Sequence, residues 1–291
     1  MSKKESLILK VAKRAFRLVA TSRLPAFSSK FANRIYSQHQ HFALLVLKKH
    51  LQNTTYRDVV DVVSEMPRVL QALELEEVPH YSTLQKFFER LKGILLDLLA
   101  RVERASEMLA VDSTGFSSEH SSLYYQQRIR REVQVHSWNK LSIVIDPRSQ
   151  LICNILKGVG PSNDCPELPK LLEPFQELQI VLGDKGYDSE ANLRFIMERG
   201  GVPIIPVRQG KITPTKTKLR KRMLKLFPSL EKVYHQRSKV ETVFSVMKRR
   251  FGASLRSKRL ALRMKELALN AITYNCYRKA ITILKGFLQS R

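Results

Sequence analysis

The 291-residue chain has 43% hydrophobic residues, a formal net charge of +25 and three cysteines. That length buries a substantial core, as one domain of ordinary size plus a smaller one. Cys153, Cys165 and Cys276 are odd in number and form no C-x-x-C pair, so neither a disulfide framework nor a zinc site is indicated, which suits a reducing cytoplasm. The N-terminus has neither a continuous apolar run nor a small-residue cleavage site, so it is not a signal peptide. No unbroken apolar stretch reaches the length of a membrane span.

The charge is uneven. Residues 1–50 hold 11 Lys+Arg against 1 acid and residues 201–291 hold 23 against 3, whereas 51–107 (7 against 10) and 108–200 (10 against 12) are slightly acidic. Polycationic ends on an apolar-rich chain read as folded basic surface, which attracts polyanions and releases their counterions on binding. Nucleic acid is the first partner to consider. An anionic membrane surface or ribosomal RNA would explain the same charge.

In chain order, Leu7, Ile8, Val11, Ala15 and Leu18 recur at helical spacing inside a basic arm over residues 1–38. Residues 39–107 read as helical. Phe42 to Leu51 supplies one helix, and TTYRDVVDVVSEMP a short one that stops before Pro67. STLQKFFERLKGILLDLLARV is a longer helix in which Ser82 and Gln85 have capping-box spacing. Short helix, turn and capped longer helix resemble a helix-turn-helix DNA-binding region.

From residue 108 the period changes. EMLAVDSTGF predicts a strand ending at Asp112, VQVHSWNKLSIVID a second strand and LICNILKGVG a third. CPELPKLLEPF predicts a short helix, QIVLGD a strand ending at Asp184, SEANLRFIMERG a helix closed by Gly200, and VPIIPV a fifth strand. This order implies an α/β fold with a mixed sheet. Residues 209–233 read as a basic connection with a short helix, followed by the helix of Glu241 and a long terminal helix.

Tyr234, Arg237, Glu241 and Lys248 share a stripe roughly 60° wide at about 100° per residue, and Val240, Val243, Phe244, Met247 and Phe251 form a neighbouring apolar arc. Such a helix docks on its apolar face and presents a phenol, a guanidinium, an acid and an ammonium. The plain alternative is a surface helix with an incidental Arg237–Glu241 pair. Asp112 and Asp184, at the ends of apolar strands, can be completed by Glu241 into a trio of carboxylates. Their mutual repulsion favours a site held by hard divalent cations, Mg²⁺ or Mn²⁺. Two such ions stabilise the attacking and leaving oxygens of an in-line phosphoryl displacement. A lone Asp at a strand end is otherwise a turn residue or cap, the reading given to Asp164 and Asp188. Trp138 reads as core, with base stacking beside His136 and Lys140 as the alternative. The run Lys216, Lys218, Arg220, Lys221, Arg222 and Lys225 reads as phosphate contacts that position DNA, or else as a solvated connection.

D-S-T after one apolar strand, G-D-K-G-Y-D-S after another and Y-(2)-R-(3)-E-(6)-K on a following helix resemble the DDE transposases of prokaryotic insertion sequences, in the families numbered four and five. The resemblance covers about residues 108–280, and TYRDVVDVVSEMP with VPHYSTLQ looks like the family's N-terminal region. It implies a ribonuclease H-like catalytic domain over 108–291, with Asp112, Asp184 and Glu241 as catalytic, metal-binding residues for two Mg²⁺ or Mn²⁺ ions. Tyr234, Arg237 and Lys248 would contact transposon-end phosphates. The implied partners are duplex DNA, as transposon ends and target, and a second copy in a homodimer on DNA, in a nucleoid-associated cytoplasmic protein. Some relatives carry a large β insertion before the Glu; here Glu241 follows Asp184 by only 57 positions, so none is expected. A nuclease of the same fold that never joins strands, or a silent DNA-binding protein descended from a transposase, are the competing functions.

Overall fold

The computed structural model describes residues 5–289 apart from 32, 53–54, 102–106, 119–137, 161 and 210–216. The helices are α1 (Leu7–Ala20), α2 (Gln38–His50), α3 (Tyr56–Ser64), α4 (Pro67–Ala72), α5 (Tyr81–Arg90), α6 (Gly93–Ala100), α7 (Leu168–Leu172), α8 (Glu190–Glu198), α9 (Lys218–Tyr234), α10 (Ser238–Phe251) and α11 (Leu260–Gln289). The strands are β1 (Met108–Phe116), β2 (Asn139–Asp146), β3 (Leu151–Val159), β4 (Ile180–Leu182) and β5 (Val202–Ile204). The chain forms two compact units: Met1–Ala100 with Met247–Ala253 and Arg259–Arg291, and Arg101–Val246 with Ser254–Lys258. Among the described residues no helix is long and apolar enough to cross a membrane.

The first unit is helical. The Ser6 side chain caps α1 by accepting from the Leu9 N–H at 3.3 Å, and Val11, Ala12, Ala15 and Val19 are buried. α1 packs on α2, α4 and α11, so the segment 7–20 is part of a helical core and not a detached basic arm. α2 opens on a capping box between Ser37 and Gln40 and buries its whole run Phe42–Leu47, as a helix apolar on all sides must. Inside this core Lys49 Nζ lies 2.6 Å from Glu266 Oε1 of α11. The terminal helix therefore belongs with the N-terminal helices, and a single boundary at residue 107 does not describe the chain.

Two expectations for this region fail. α5 begins two residues earlier than the Ser82 cap implies: His80 is the N-cap, and its Nδ1 lies 2.8 Å from Ser82 Oγ. The long helix also breaks into α5 and α6, because Leu91 takes an extended ψ of 127°. A helix over Pro67–Ala72 stands where the sequence suggested only a stop. Pro67 is its first residue, where its missing N–H costs nothing.

The second unit is built on a sheet of order β3-β2-β1-β4-β5. β2 runs antiparallel to β1 and β3, while β4 runs parallel to β1 and β5. Leu109 and Val111 of β1, Val144 of β2 and Val181 of β4 pack with Leu168, Leu171 and Leu172 of α7 and with Leu193 and Ile196 of α8. This is the expected α/β arrangement, a mixed sheet packed on helices. α8 is capped by Ser189 and ends before Gly200, whose φ of +77° lets the chain turn into β5.

β1 does not stop at Asp112. β2 continues to pair with it as far as Phe116, opposite Asn139, so the strand outlasts its apolar run. The part of the second predicted strand before Trp138, including His136, lies outside the described residues, as does Lys216. Residues 218–234 form a full 17-residue helix, with Pro228 inside it, where a short one was expected. Dense Lys and Arg hide its apolar stripe, of which Met223 is buried and Leu219 packs on the core.

α9 is anchored by Arg220. Its Nη2 and Nε lie 2.6 and 2.9 Å from the two oxygens of Asp188, whose side chain is fully buried. Arg220 is thus an internal clamp and not the phosphate contact that its neighbours suggested. Arg220→Ala leaves a buried carboxylate uncompensated and should cost about 3 kcal/mol of stability in urea unfolding. Lys221→Ser, on an exposed side chain, should stay within about 0.5 kcal/mol. Equal effects of the two variants would contradict the clamp.

Candidate active site

The β1–β4 register sets the first two carboxylates. Ala110 pairs with Leu182 in the parallel ladder, so two residues on along each strand Asp112 faces the level of Asp184. Asp112 is carried there by a strand still bonded to β2, and Asp184 by the turn that follows β4. The Asp184 side chain caps the 3-10 turn Lys185–Tyr187, its Oδ1 accepting from the Gly186 N–H at 2.7 Å. A Cβ on Gly186 would stand 2.7 Å from Asp184 Oδ1 and 3.3 Å from Asp164 Oδ2. Only glycine admits the carboxylates this closely, which gives D-K-G its physical reason.

Asp112 Oδ1 accepts from the Ser113 N–H at 2.8 Å, and its Oδ2 accepts from Arg237 Nη1 at 3.1 Å. Arg237 Nη2 also donates to Glu241 Oε1 at 2.5 Å. One guanidinium therefore bridges the first and third carboxylates. Burial pushes the Asp112 carboxyl up from 3.8 to about 6; the Ser113 N–H and Arg237 oppose that rise, and the charges of Asp184 and Glu241 add to it. The charges of Asp184 and Glu241 thus both reach Asp112.

Tyr234 ends α9, Arg237 closes the 3-10 turn His235–Arg237, and Glu241 and Lys248 lie on α10. The single predicted helix is therefore three consecutive segments, with Tyr234, His235 and Ser238 all in the right-handed helical region. The Arg237 guanidinium lies 5.8 Å from the Tyr234 ring centroid. Burial raises the Tyr234 pKa, and Arg237 pulls against it. Lys248, two helical turns beyond Glu241, is half-buried, and burial lowers its pKa. Lys218, Lys221, Arg222 and Lys225 are exposed on α9.

Sequence reasoning missed a second polar network on the neighbouring side of β1. Lys140 Nζ lies 2.5 Å from Asp164 Oδ1 and 2.9 Å from Glu167 Oε1. Ser113 Oγ donates to Asp164 at 2.7 Å and Ser142 Oγ to Glu167 at 2.6 Å. Asp164 thus braces the residue after Asp112 and makes no side-chain cap. The alternation Lys140, Ser142 on β2 and the Ser113–Ser142 register could have signalled this polar face. The Tyr187 hydroxyl is buried without a hydrogen-bond partner among the described residues. Its pKa is raised by burial, and further by Asp164, Asp112 and Asp184. Trp138 is 46% exposed and lies against Gly115, where a Cβ would meet its ring at 3.0 Å; it is not core.

Among the described residues no three acidic, histidine or cysteine side chains stand ready, as placed, to share a metal ion. The donor set nevertheless fits a hard divalent cation. The carboxylates of Asp112 and Glu241 already flank one positive charge, the Arg237 guanidinium, which stands in for a cation between them. An ion would take over the charge balance that Arg237 now supplies.

The family model for the transposase DDE domain matches residues 103–276. No curated protein matches the chain. Among solved structures, the piggyBac transposase synaptic complex with hairpin DNA is similar at 12% identity and a TM-score of 0.49, over 97% of this chain and 74% of that one. A pre-cleavage Mos1 transpososome is similar at 12% identity and a TM-score of 0.24, over 91% and 84%. The family match spans both aspartates, Arg237 and Glu241, and covers more than half of the chain: it belongs to the DDE transposase family.

Proposed function

We propose that the chain cleaves DNA at the ends of a prokaryotic insertion sequence and joins the freed 3′-hydroxyl to target DNA, with Asp112, Asp184 and Glu241 as the catalytic carboxylates. The observation that supports this most is the single guanidinium linking Asp112 to Glu241 beside the register-matched Asp184. The three carboxylates would hold Mg²⁺ or Mn²⁺, which lowers the pKa of bound water and stabilises charge on the attacking and leaving oxygens. The Asp184 carboxylate is oriented by the Gly186 N–H and that of Asp112 by the Ser113 N–H. Arg237, released from the carboxylates, and Lys248 would neutralise the phosphate being transferred. Tyr234 would orient Arg237. Lys218, Lys221 and Arg222 would hold the flanking duplex without reading its sequence.

The helical unit would recognise the terminal repeats through the region of α3 to α5, and a homodimer would pair the two ends. The protein would act at the nucleoid. A strand-transfer assay tests the reading: an element-end duplex with Mg²⁺ should give both a 3′-hydroxyl end and a covalent joint to target DNA. Cleavage without any joined product favours the hydrolytic nuclease. Binding without cleavage favours a silent descendant.

A further inference from the structure

The helical unit contains a cavity of about 920 Å³ between the α1–α2 connection and the start of α6 that the transposition chemistry does not use. Its size lies in the range of small-molecule sites. Phe27, Tyr36 and Phe87 contribute aromatic lining, and Arg23, Arg90 and Lys92 contribute cations. Among the described residues no acid lines it. Ser28, Asn33, Gln38 and Thr83 add neutral hydrogen-bonding groups.

His41, also in the lining, gives this chemistry a direction. It is 7% exposed, stacks on Phe87 with centroids 5.1 Å apart, and meets Tyr36 edge-on at 5.8 Å. Its Nδ1 lies 2.8 Å from the Ser37 carbonyl oxygen, which can only accept, so Nδ1 carries the proton of the neutral ring. Nε2 is then a lone-pair acceptor, and it is buried with no partner among the described residues. Burial holds the ring in its neutral form, and the nearby Arg90 charge acts in the same direction. His41 therefore extends the aromatic lining as an uncharged ring stacked on Phe87.

We propose that this cavity binds one unpaired nucleotide of a DNA strand. The base would stack in the aromatic lining, and its phosphates would lie on Arg23, Arg90 and Lys92. Aromatic rings accept any base face. An apolar peptide would leave three cations unmatched, so the absence of lining acids favours the nucleotide. The site deepens the proposed DNA function and rests on it for the source of the nucleotide.

The test uses the full chain without divalent metal and three probes: a duplex with one unpaired 2-aminopurine, the same duplex fully paired, and free 2-aminopurine deoxynucleoside monophosphate. The unpaired duplex should bind at least about fivefold tighter than the paired one, with quenched fluorescence. Arg90→Ser with Lys92→Ser, and separately Tyr36→Leu, should remove preference and quenching; both changes lie at positions outside the buried core. Equal affinity without quenching overturns the proposal, as does a preference that survives both variants. Quenching by the free monophosphate alone overturns the DNA strand as the source. A chain that binds neither duplex counts against the proposed function, and the free nucleotide then still decides the cavity: no quenching overturns it.

Discussion

Asp184→Asn lowers divalent-ion-dependent cleavage by at least about 1,000-fold, equivalent to roughly 4 kcal/mol of transition-state stabilisation. Asparagine has the same shape, and its Oδ1 can still accept from the Gly186 N–H, the contact that shapes the 3-10 turn at 2.7 Å. The fold and the exposed cations of α9 stay in place, so duplex DNA binding should remain within about twofold, since phosphate contacts dominate it. The variant removes charge at one oxygen set and little else. Run in parallel with the strand-transfer assay, cleavage at the wild-type rate would place the reacting phosphate away from Asp184. Loss of binding together with cleavage would instead make Asp184 structural.

Asp112→Asn should stabilise the chain against urea at pH 7 to 8. The folded carboxyl is raised from 3.8 to about 6, chiefly by burial. A raised pKa in the folded state means stability that is fully present below about pH 4 and lost as pH rises through about 6. The shift corresponds to at most about 3 kcal/mol. Asparagine cannot ionise, so the difference between variant and wild type should grow over that window and level off above it. Mg²⁺ should narrow the difference by stabilising only the wild type. A difference independent of pH would show that Asp112 ionises in the fold without penalty.

Much of the site was legible because its residues are set by local spacing. The Y-(2)-R-(3)-E-(6)-K residues fall in succession on α9, a 3-10 turn and α10, and Arg237 still meets Glu241 at i,i+4 across that break. Strand-end apolar runs located Asp112 and Asp184, although β1 runs on to Phe116 because pairing with β2 sustains it past the apolar residues. Long-range partners were not legible. Arg220 looked like its exposed neighbours until Asp188, 32 positions away, was seen buried beneath it. α11 was grouped with the domain beside it in sequence, yet its buried Glu266 pairs with Lys49, 217 positions earlier. Local propensity carries no information about either pairing.

The central claim is that Asp112, Asp184 and Glu241 form one divalent-ion site whose charge Arg237 balances in the ion's absence. Calorimetric titration of Mn²⁺ into the full chain without DNA tests it directly. Asp112→Asn, Asp184→Asn and Glu241→Gln should each weaken Mn²⁺ binding by at least about tenfold, and Arg237→Ala should strengthen it by removing the competing cation. Mn²⁺ affinity unchanged by all three carboxylate variants, or weakened by Arg237→Ala as much as by them, would contradict the shared site.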